Sequence, residues 1–447
     1  MNYLVSFVSL GCDKNLVDSE HMLGLLNQGG FSLTGDEDKA DVVVVNTCCF
    51  IEDAKKESIE NILEVARYKE SGNCKALIVT GCMAQRYKQE ILDEIPEVDA
   101  VVGTTSYDKI VEIANGILEQ KGLRTQSFDL IDREMLDEMP RILTTAGYFA
   151  YVKISEGCDK HCTYCIIPQL RGKYRSRHMD KIKKEVEQLA KDGVSEIILV
   201  AQDTTEYGSD LEDASLAKLL RELSTVEGIE WIRVLYCYPE SITDELIKEI
   251  KTNPKVCKYL DIPIQHASTA VLKRMARKSS LEMLKETMAK LRREIPGIAI
   301  RTTLIVGFPG ETEEDFNILY DFVKETRFDR LGVFTYSQEE GTPAAKFEDQ
   351  IDEKVKIKRR DAIMALQHGI SQELTAAKVG REMKVLIEGK ITDEDVYIGR
   401  TYQDAPDIDG EVFVEYEGEL ISGDYVDVRI TGANDYDLIG EIIDEHC

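Results

Sequence analysis

The stretch Ser155-Glu156-Gly157-Cys158-Asp159-Lys160-His161-Cys162-Thr163-Tyr164-Cys165 places three cysteines at the spacing C-x3-C-x2-C. It follows directly on an alternating, strand-like run from Tyr148 to Ile154. Three thiolates on one short loop can hold three irons of a 4Fe-4S cluster, because soft sulfur ligands select iron–sulfur clusters or zinc. A fourth cysteine is missing nearby, so the fourth iron would stay open to a substrate. The alternative is structural zinc with a remote fourth ligand such as His161 or His178, although such sites usually take paired C-x2-C knuckles.

Three more cysteines stand where strand-like runs end: Leu10-Gly11-Cys12, Asn46-Thr47-Cys48-Cys49 and Thr80-Gly81-Cys82. Open parallel sheets bind ligands beyond the carboxyl ends of their strands. Cys12, Cys48 and Cys82 are 36 and 34 residues apart in sequence and should therefore meet in space. Such a triad again suits a cluster with one open iron. The plain alternative is three buried apolar cysteines.

The elements that must position these loops read as an α/β multidomain protein. Residues 1–120 alternate strands (3–10, 41–46, 76–80, 98–102) with helices (16–28, 53–69, 84–94), the pattern of a doubly wound domain. Residues 121–146, with acidic clusters and Pro140, read as a linker. Residues 147–378 carry strand candidates at 148–154, 195–201, 231–237, 258–264, 298–306 and 330–336, then a long helical segment at 352–378. Six βα repeats predict a partial TIM-like barrel with its chemistry on the carboxyl-end loops, where the cysteine loop stands. Residues 379–447 hold five short strands (383–388, 396–402, 411–416, 425–430, 438–443), a small antiparallel β-barrel of OB-like type.

Composition sets the bounds. A chain of 447 residues exceeds one ordinary core and predicts two or three domains. No run reaches the roughly 18 to 20 apolar residues of a membrane span. The N-terminus lacks a basic region followed by an apolar stretch, so no signal peptide is read. Eleven cysteines, an odd number, point to thiolate chemistry rather than disulfides, and a cytoplasmic setting is expected. The net charge of −28 repels a phosphate backbone and attracts a basic protein, or else merely aids solubility. Residues 380–447 hold 19 acidic and 5 basic residues, so half of that excess sits in the last domain.

The C-x3-C-x2-C loop resembles the signature of the radical AdoMet enzymes, and the order of domains resembles the methylthiotransferase family, whose last domain is called TRAM. The likeness is carried by Ser9-Leu10-Gly11-Cys12-Asp13-Lys14-Asn15, Asn46-Thr47-Cys48, Gly81-Cys82-Met83-Ala84-Gln85-Arg86-Tyr87 and Ile166-Ile167-Pro168 after the cysteine loop. Three stretches resemble the RimO branch, which modifies the small-subunit ribosomal protein numbered twelve. They are Ala201-Gln202-Asp203-Thr204-Thr205-Glu206-Tyr207-Gly208, Asp261-Ile262-Pro263-Ile264-Gln265-His266-Ala267-Ser268 and Tyr336-Ser337-Gln338-Glu339-Glu340-Gly341-Thr342.

The resemblance implies two 4Fe-4S clusters and S-adenosylmethionine. Cys158, Cys162 and Cys165 would hold the cluster that reduces AdoMet, and Cys12, Cys48 and Cys82 an auxiliary cluster carrying sulfide. Cys48 rather than Cys49 is chosen because it matches the family's Asn-Thr-Cys pattern. One AdoMet would methylate that sulfur, and a second would yield the radical that attacks an aspartate β-carbon, giving 3-methylthioaspartate. AdoMet contacts are expected at Tyr164, Gln202, Asp203, Gln265, Ser268 and Gly307, with packing or a glycine-rich turn as the plainer roles. An external electron donor and a sulfur source are implied, with no membrane, and tRNA is not the expected partner. The rival functions are a tRNA adenosine methylthiotransferase of the same architecture and a non-catalytic iron–sulfur carrier. The acidic run Asp404, Asp407, Asp409 and Glu411 is expected to face the basic substrate.

Overall fold

The run Val42-Val43-Val44-Val45 has no polar side to offer water, and it forms the buried middle of the first sheet. In the computed structural model, which describes residues 3–443, this sheet has six parallel strands. They are β1 (Leu4–Ser9), β2 (Ser32–Leu33), β3 (Val42–Thr47), β4 (Ala76–Gly81), β5 (Ala100–Val102) and β6 (Thr125–Ser127), in the order β2-β1-β3-β4-β5-β6. Residues 1–2 and 444–447, at the outer ends of the first and last expected domains, lie outside the described residues. Alternate valines serve opposite faces. Val43 and Val45 pack with Ile62 and Val65 of the helix Glu52–Ala66. Val42 and Val44 pack with Met22 and Leu26 of the helix Asp13–Gln28 and Ile110 and Ile117 of the helix Ile110–Glu119. The sheet is therefore doubly wound, as expected.

Two details differ from the sequence reading. The expected linker supplies edge strand β6, and β2 forms the opposite edge; at three and two residues both are too short to show the apolar alternation that marks a strand. The helix expected over 84–94 breaks at Lys88, which has a positive φ of 44°, into Cys82–Tyr87 and Gln89–Glu94.

The central domain contains β7 (Phe149–Lys153), a small antiparallel pair β8 (Ser155–Glu156) and β9 (Arg175–Ser176), then β10 (Glu196–Val200), β11 (Trp231–Val234), β12 (Val256–Asp261), β13 (Ala299–Val306) and β14 (Arg330–Thr335). The six long strands are parallel in the order β14-β13-β12-β11-β10-β7, a partial barrel. Outward-facing Ile197, Leu199, Ile232, Val234, Ile300 and Leu304 belong to the core shared with the surrounding helices.

The last domain closes β15 (Glu382–Lys390), β16 (Val396–Thr401), β17 (Val412–Glu415), β18 (Tyr425–Ala433) and β19 (Leu438–Ile442) into a barrel. Four of its seams are antiparallel, and β17 with β19 is the one parallel seam. It plugs the partial barrel's concave face: Leu386 and Ala405 join Phe149, Ile198, Trp231 and Tyr259 in one apolar cluster. Beside that cluster Glu196 pairs with both Arg233, at 2.8 Å, and Arg400. Arg330 pairs with Asp404, and the Tyr259 hydroxyl donates to Asp409 over 2.8 Å.

These pairs correct the expected substrate face. Asp404 and Asp409 are held inside the domain interface, with side chains 2% exposed, while Asp407 and Glu411 remain exposed. The acidic run looked like a solvated loop because its partners, Arg301 and Arg330, lie 70 or more residues earlier in sequence. No helix among the described residues is long and apolar enough to cross a membrane.

Candidate metal centres

Cys12, Cys48 and Cys82 leave the carboxyl ends of β1, β3 and β4, three strands that are side by side in the sheet. Gly11, at φ +93°, lets the first loop lie against the second: a Cβ there would stand 2.7 Å from the Cys48 Cβ and 3.1 Å from its Sγ. Asn15 ties the same loops together, donating to Leu10 O at 2.8 Å and Thr47 O at 3.0 Å. Burial pushes the Cys48 thiol up to about 12, and the neighbouring Cys82 and Cys12 thiols add to the push. Cys49 is fully buried in the apolar core with Val45, Ile62 and Leu77, whereas Cys48 is half-buried.

The second triad lies on the loop after β8. Burial pushes Cys158 up to about 11, with Cys162 adding, and raises Cys165 through burial and both of its neighbours. Among the described residues no three Cys, His, Asp or Glu side chains converge tightly enough to hold a single metal ion. His161 and His178, the remote ligands considered for zinc, are both exposed.

A cavity of about 210 Å³ joins the two halves of the molecule. Tyr164 of the cysteine loop, Gln265, Ile305 and Tyr336 of the barrel, and Phe50 just beyond Cys48-Cys49 line it. The Gln265 Oε1 and the Tyr336 hydroxyl are buried with no partner in the protein. A larger groove of about 430 Å³ on the first domain, lined by Ile59, Leu63 and Tyr87, touches neither cysteine triad.

The other expected cofactor contacts divide. Gln202 donates to Glu156 at 2.6 Å and leaves its buried Oε1 unpartnered. Asp203 caps the turn Thr204–Glu206 through Thr205 and meets Lys160 at 3.4 Å; burial pushes its carboxyl up to about 6, against the pull of Thr205 and Lys160. Ser268 spends its hydroxyl on Asp315 at 2.5 Å, in the capping of the helix Glu313–Thr326. Gly307, at φ +71°, has Lys356 packed against it, whose Cγ would lie 2.2 Å from an added Cβ.

Residues 4–103 match the family described as uncharacterized protein family UPF0004, residues 152–323 the radical SAM superfamily and residues 379–443 the TRAM domain. A ribosomal protein uS12 methylthiotransferase RimO of Lachnoclostridium phytofermentans is 58% identical over 437 residues, covering 98% of this chain and 99% of that protein. The chain belongs to the RimO family. A second RimO relative, from Acetivibrio thermocellus, is 53% identical over 452 residues, 100% of this chain and 99% of that protein. At the level of fold, the radical S-adenosylmethionine methyltransferase TsrM of Kitasatospora setae superposes with a TM-score of 0.57 at 15% identity, over 77% of this chain and 74% of that one.

For a RimO-family chain the donor set fits the expected groups. Two thiol triads stand at strand ends, and the Tyr164 and Phe50 neighbours of the two cysteine loops meet at one cavity. Several residues of the site escaped the sequence reading. Arg277, 6% exposed, stacks 4.2 Å from the Tyr238 ring, and its Nε and Nη1 lack hydrogen-bond partners. Lys14 is buried beside Cys12 with its Nζ 3.2 Å from the centre of the Tyr236 ring. Burial opposes its charge, but Asp13, Tyr236 and Cys12 outweigh that, so the ammonium stays protonated. Glu339 is buried and pairs with Lys55 at 3.1 Å and Arg86 at 3.3 Å, fastening the first domain to the barrel. Their signal in the sequence was only the motifs themselves, because a lysine or glutamate gives no sign of burial until its partner is known.

Proposed function

We propose that the protein methylthiolates the β-carbon of an aspartate in ribosomal protein uS12, giving 3-methylthioaspartate. Cys158, Cys162 and Cys165 hold the cluster that reduces AdoMet, and Cys12, Cys48 and Cys82 hold the auxiliary one. The observation that carries this reading is the full-length identity to RimO proteins in a chain that holds one cysteine triad at the strand ends of its first domain and a second on the first barrel loop. Bound there, AdoMet and the two clusters would supply the methyl group, the sulfur and the radical that an unactivated C–H bond requires, since such a bond offers no acidic proton to a side-chain base.

The chain's own residues do the placing. Tyr164, Gln265 and Tyr336 line the cavity, and the Gln265 Oε1 and Tyr336 hydroxyl are buried there without a protein partner. Gln202, fixed by Glu156, keeps an acceptor free at the end of β10. Phe50 and Phe334, 41% and 53% exposed, present apolar surface at the cavity to an incoming protein segment. The working units are 1–127, which takes in edge strand β6, 147–378 and 379–447, with 128–146 joining the first two. An outside electron donor, a sulfur source and a cytoplasmic setting complete the reading, and a net charge of −28 favours a basic protein over tRNA. The test is anaerobic incubation of the reconstituted protein with AdoMet, reductant and sulfide, offering ribosomal protein uS12 in one reaction and tRNA in another. Methylthiolation of uS12 alone supports the reading, and methylthiolation of tRNA alone overturns it.

A further inference from the structure

The helix Ile167–Arg171 begins two residues after Cys165, and its last residue reaches the other cysteine triad. Arg171 is 3% exposed, and its Nη2 stands 3.5 Å from Cys82 Sγ and 2.6 Å from Asn15 Oδ1. Its Nη1 donates to Asp18 at 2.7 Å and to Glu156 at 3.2 Å. Lys153 binds the same two carboxylates, meeting Glu156 at 2.8 Å and also Asp18. Two cations and two carboxylates thus balance within one buried group. The thiol of Cys82, itself 7% exposed, takes the second N–H of Arg171 Nη2.

A buried anion needs a partner, and a charge-assisted hydrogen bond is the strong kind. If Cys82 is a ligand, as the proposed function holds, its sulfur carries negative charge where water is excluded. Charge and hydrogen bonding at ligand sulfurs are among the factors that set the potential of an iron–sulfur cluster. We propose that Arg171 is a positioning residue of the auxiliary site: it fixes the Cys82 sulfur and holds the auxiliary cluster's reduction potential up. The rival role is a strut between domains, since Asp18 belongs to the first domain and Glu156 to the barrel.

The test uses the full chain with Cys158, Cys162 and Cys165 replaced by Ala, so that only the auxiliary cluster is read. Its midpoint potential is measured by EPR-monitored titration, and its iron retention by exposure to a chelator. Arg171→Gln is expected to shift the potential negative and hasten iron loss, and Arg171→Lys to do so less. Asp18→Asn, which loosens the strut without touching Cys82 and leaves a cation in excess, is expected not to shift the potential negative. An unmoved potential and unchanged iron loss in both Arg171 variants would overturn the proposal, as would Asp18→Asn shifting the potential negative as far as Arg171→Gln. If Arg171→Gln does not fold, Arg171→Lys against Asp18→Asn decides by the same comparison. Absence of iron from the parent would remove the auxiliary-cluster reading itself; iron in the parent with an unmoved potential removes the Arg171 role alone.

Discussion

The Tyr236 hydroxyl donates to Asp13 Oδ1 over 3.1 Å, so the end of the third barrel strand grips the residue next to Cys12. The same ring carries the Lys14 ammonium, and Tyr236 holds this pose at a φ of 60°, unusual for a bulky residue. A cation–π contact away from water contributes about 2 kcal/mol. Tyr236→Ala should therefore leave AdoMet cleavage without substrate largely intact. It should lower methylthiolation about tenfold or more, the equivalent of roughly 1.4 kcal/mol. Tyr236→Phe, which keeps the ring, should lose less. Single-turnover assays of both products check the ordering.

The triads should separate in iron content and in function. Reconstituted wild type is expected to hold about eight irons, and either triple Cys→Ala variant about four. Without Cys12, Cys48 and Cys82 the protein should still cleave AdoMet reductively but form no methylthiolated product. Full iron content in that variant would remove the dispersed-ligand reading.

Removing one partner from a buried ion pair strands the other, at a cost of roughly 3–5 kcal/mol. Asp404→Asn, which strands Arg330, should lower unfolding free energy by about 3 kcal/mol. Asp407→Asn, at an exposed position, should leave stability within about 0.5 kcal/mol. Chemical denaturation of the two variants measures the difference. Equal stabilities would show that the last domain is not fixed through Asp404.

His266 is fully buried, its Nδ1 accepts from Ser268 N at 2.9 Å, and burial pushes its imidazolium down to about 3. A depressed histidine contributes stability that is complete above its unfolded value of 6.5 and is lost as pH falls from there toward about 3. Buried His21, pushed down by burial to about 4, has the same sign. Glu311, raised by burial to about 7 against the pull of Arg359, has the opposite sign between 4.5 and 7. The prediction therefore concerns a difference between proteins. Between about pH 7.5 and about pH 5.5 wild type should lose on the order of 1 kcal/mol more than His266→Gln. Parallel unfolding curves at the two pH values check it.

What the sequence made legible follows from local pattern. Val42 to Val45 had to be a central strand, and six apolar runs separated by amphipathic stretches had to give a parallel sheet with the cysteine loop at its carboxyl end. Edge strands such as Thr125–Ser127 were not legible, because an edge needs no apolar face. Nor was the purpose of a charge. Asp404 read as facing the substrate, and nothing in the sequence marked Glu339 and Arg171 as buried, because the partners that neutralise them stand far along the chain. Gly307 and Ser268 stand in recognisable motifs, yet Lys356 packs against the first and Asp315 takes the hydroxyl of the second.

The central claim is that one aspartate of ribosomal protein uS12 receives a methylthio group from this protein. The most direct measurement is mass spectrometry of uS12 from cells with the gene, without it, and with the gene restored carrying Cys12, Cys48 and Cys82 as Ala. The account predicts a methylthio group in place of one hydrogen on a single aspartate in the first cells, and its absence in the other two. Unmodified uS12 in the first cells, or the modification persisting without the gene, would contradict it.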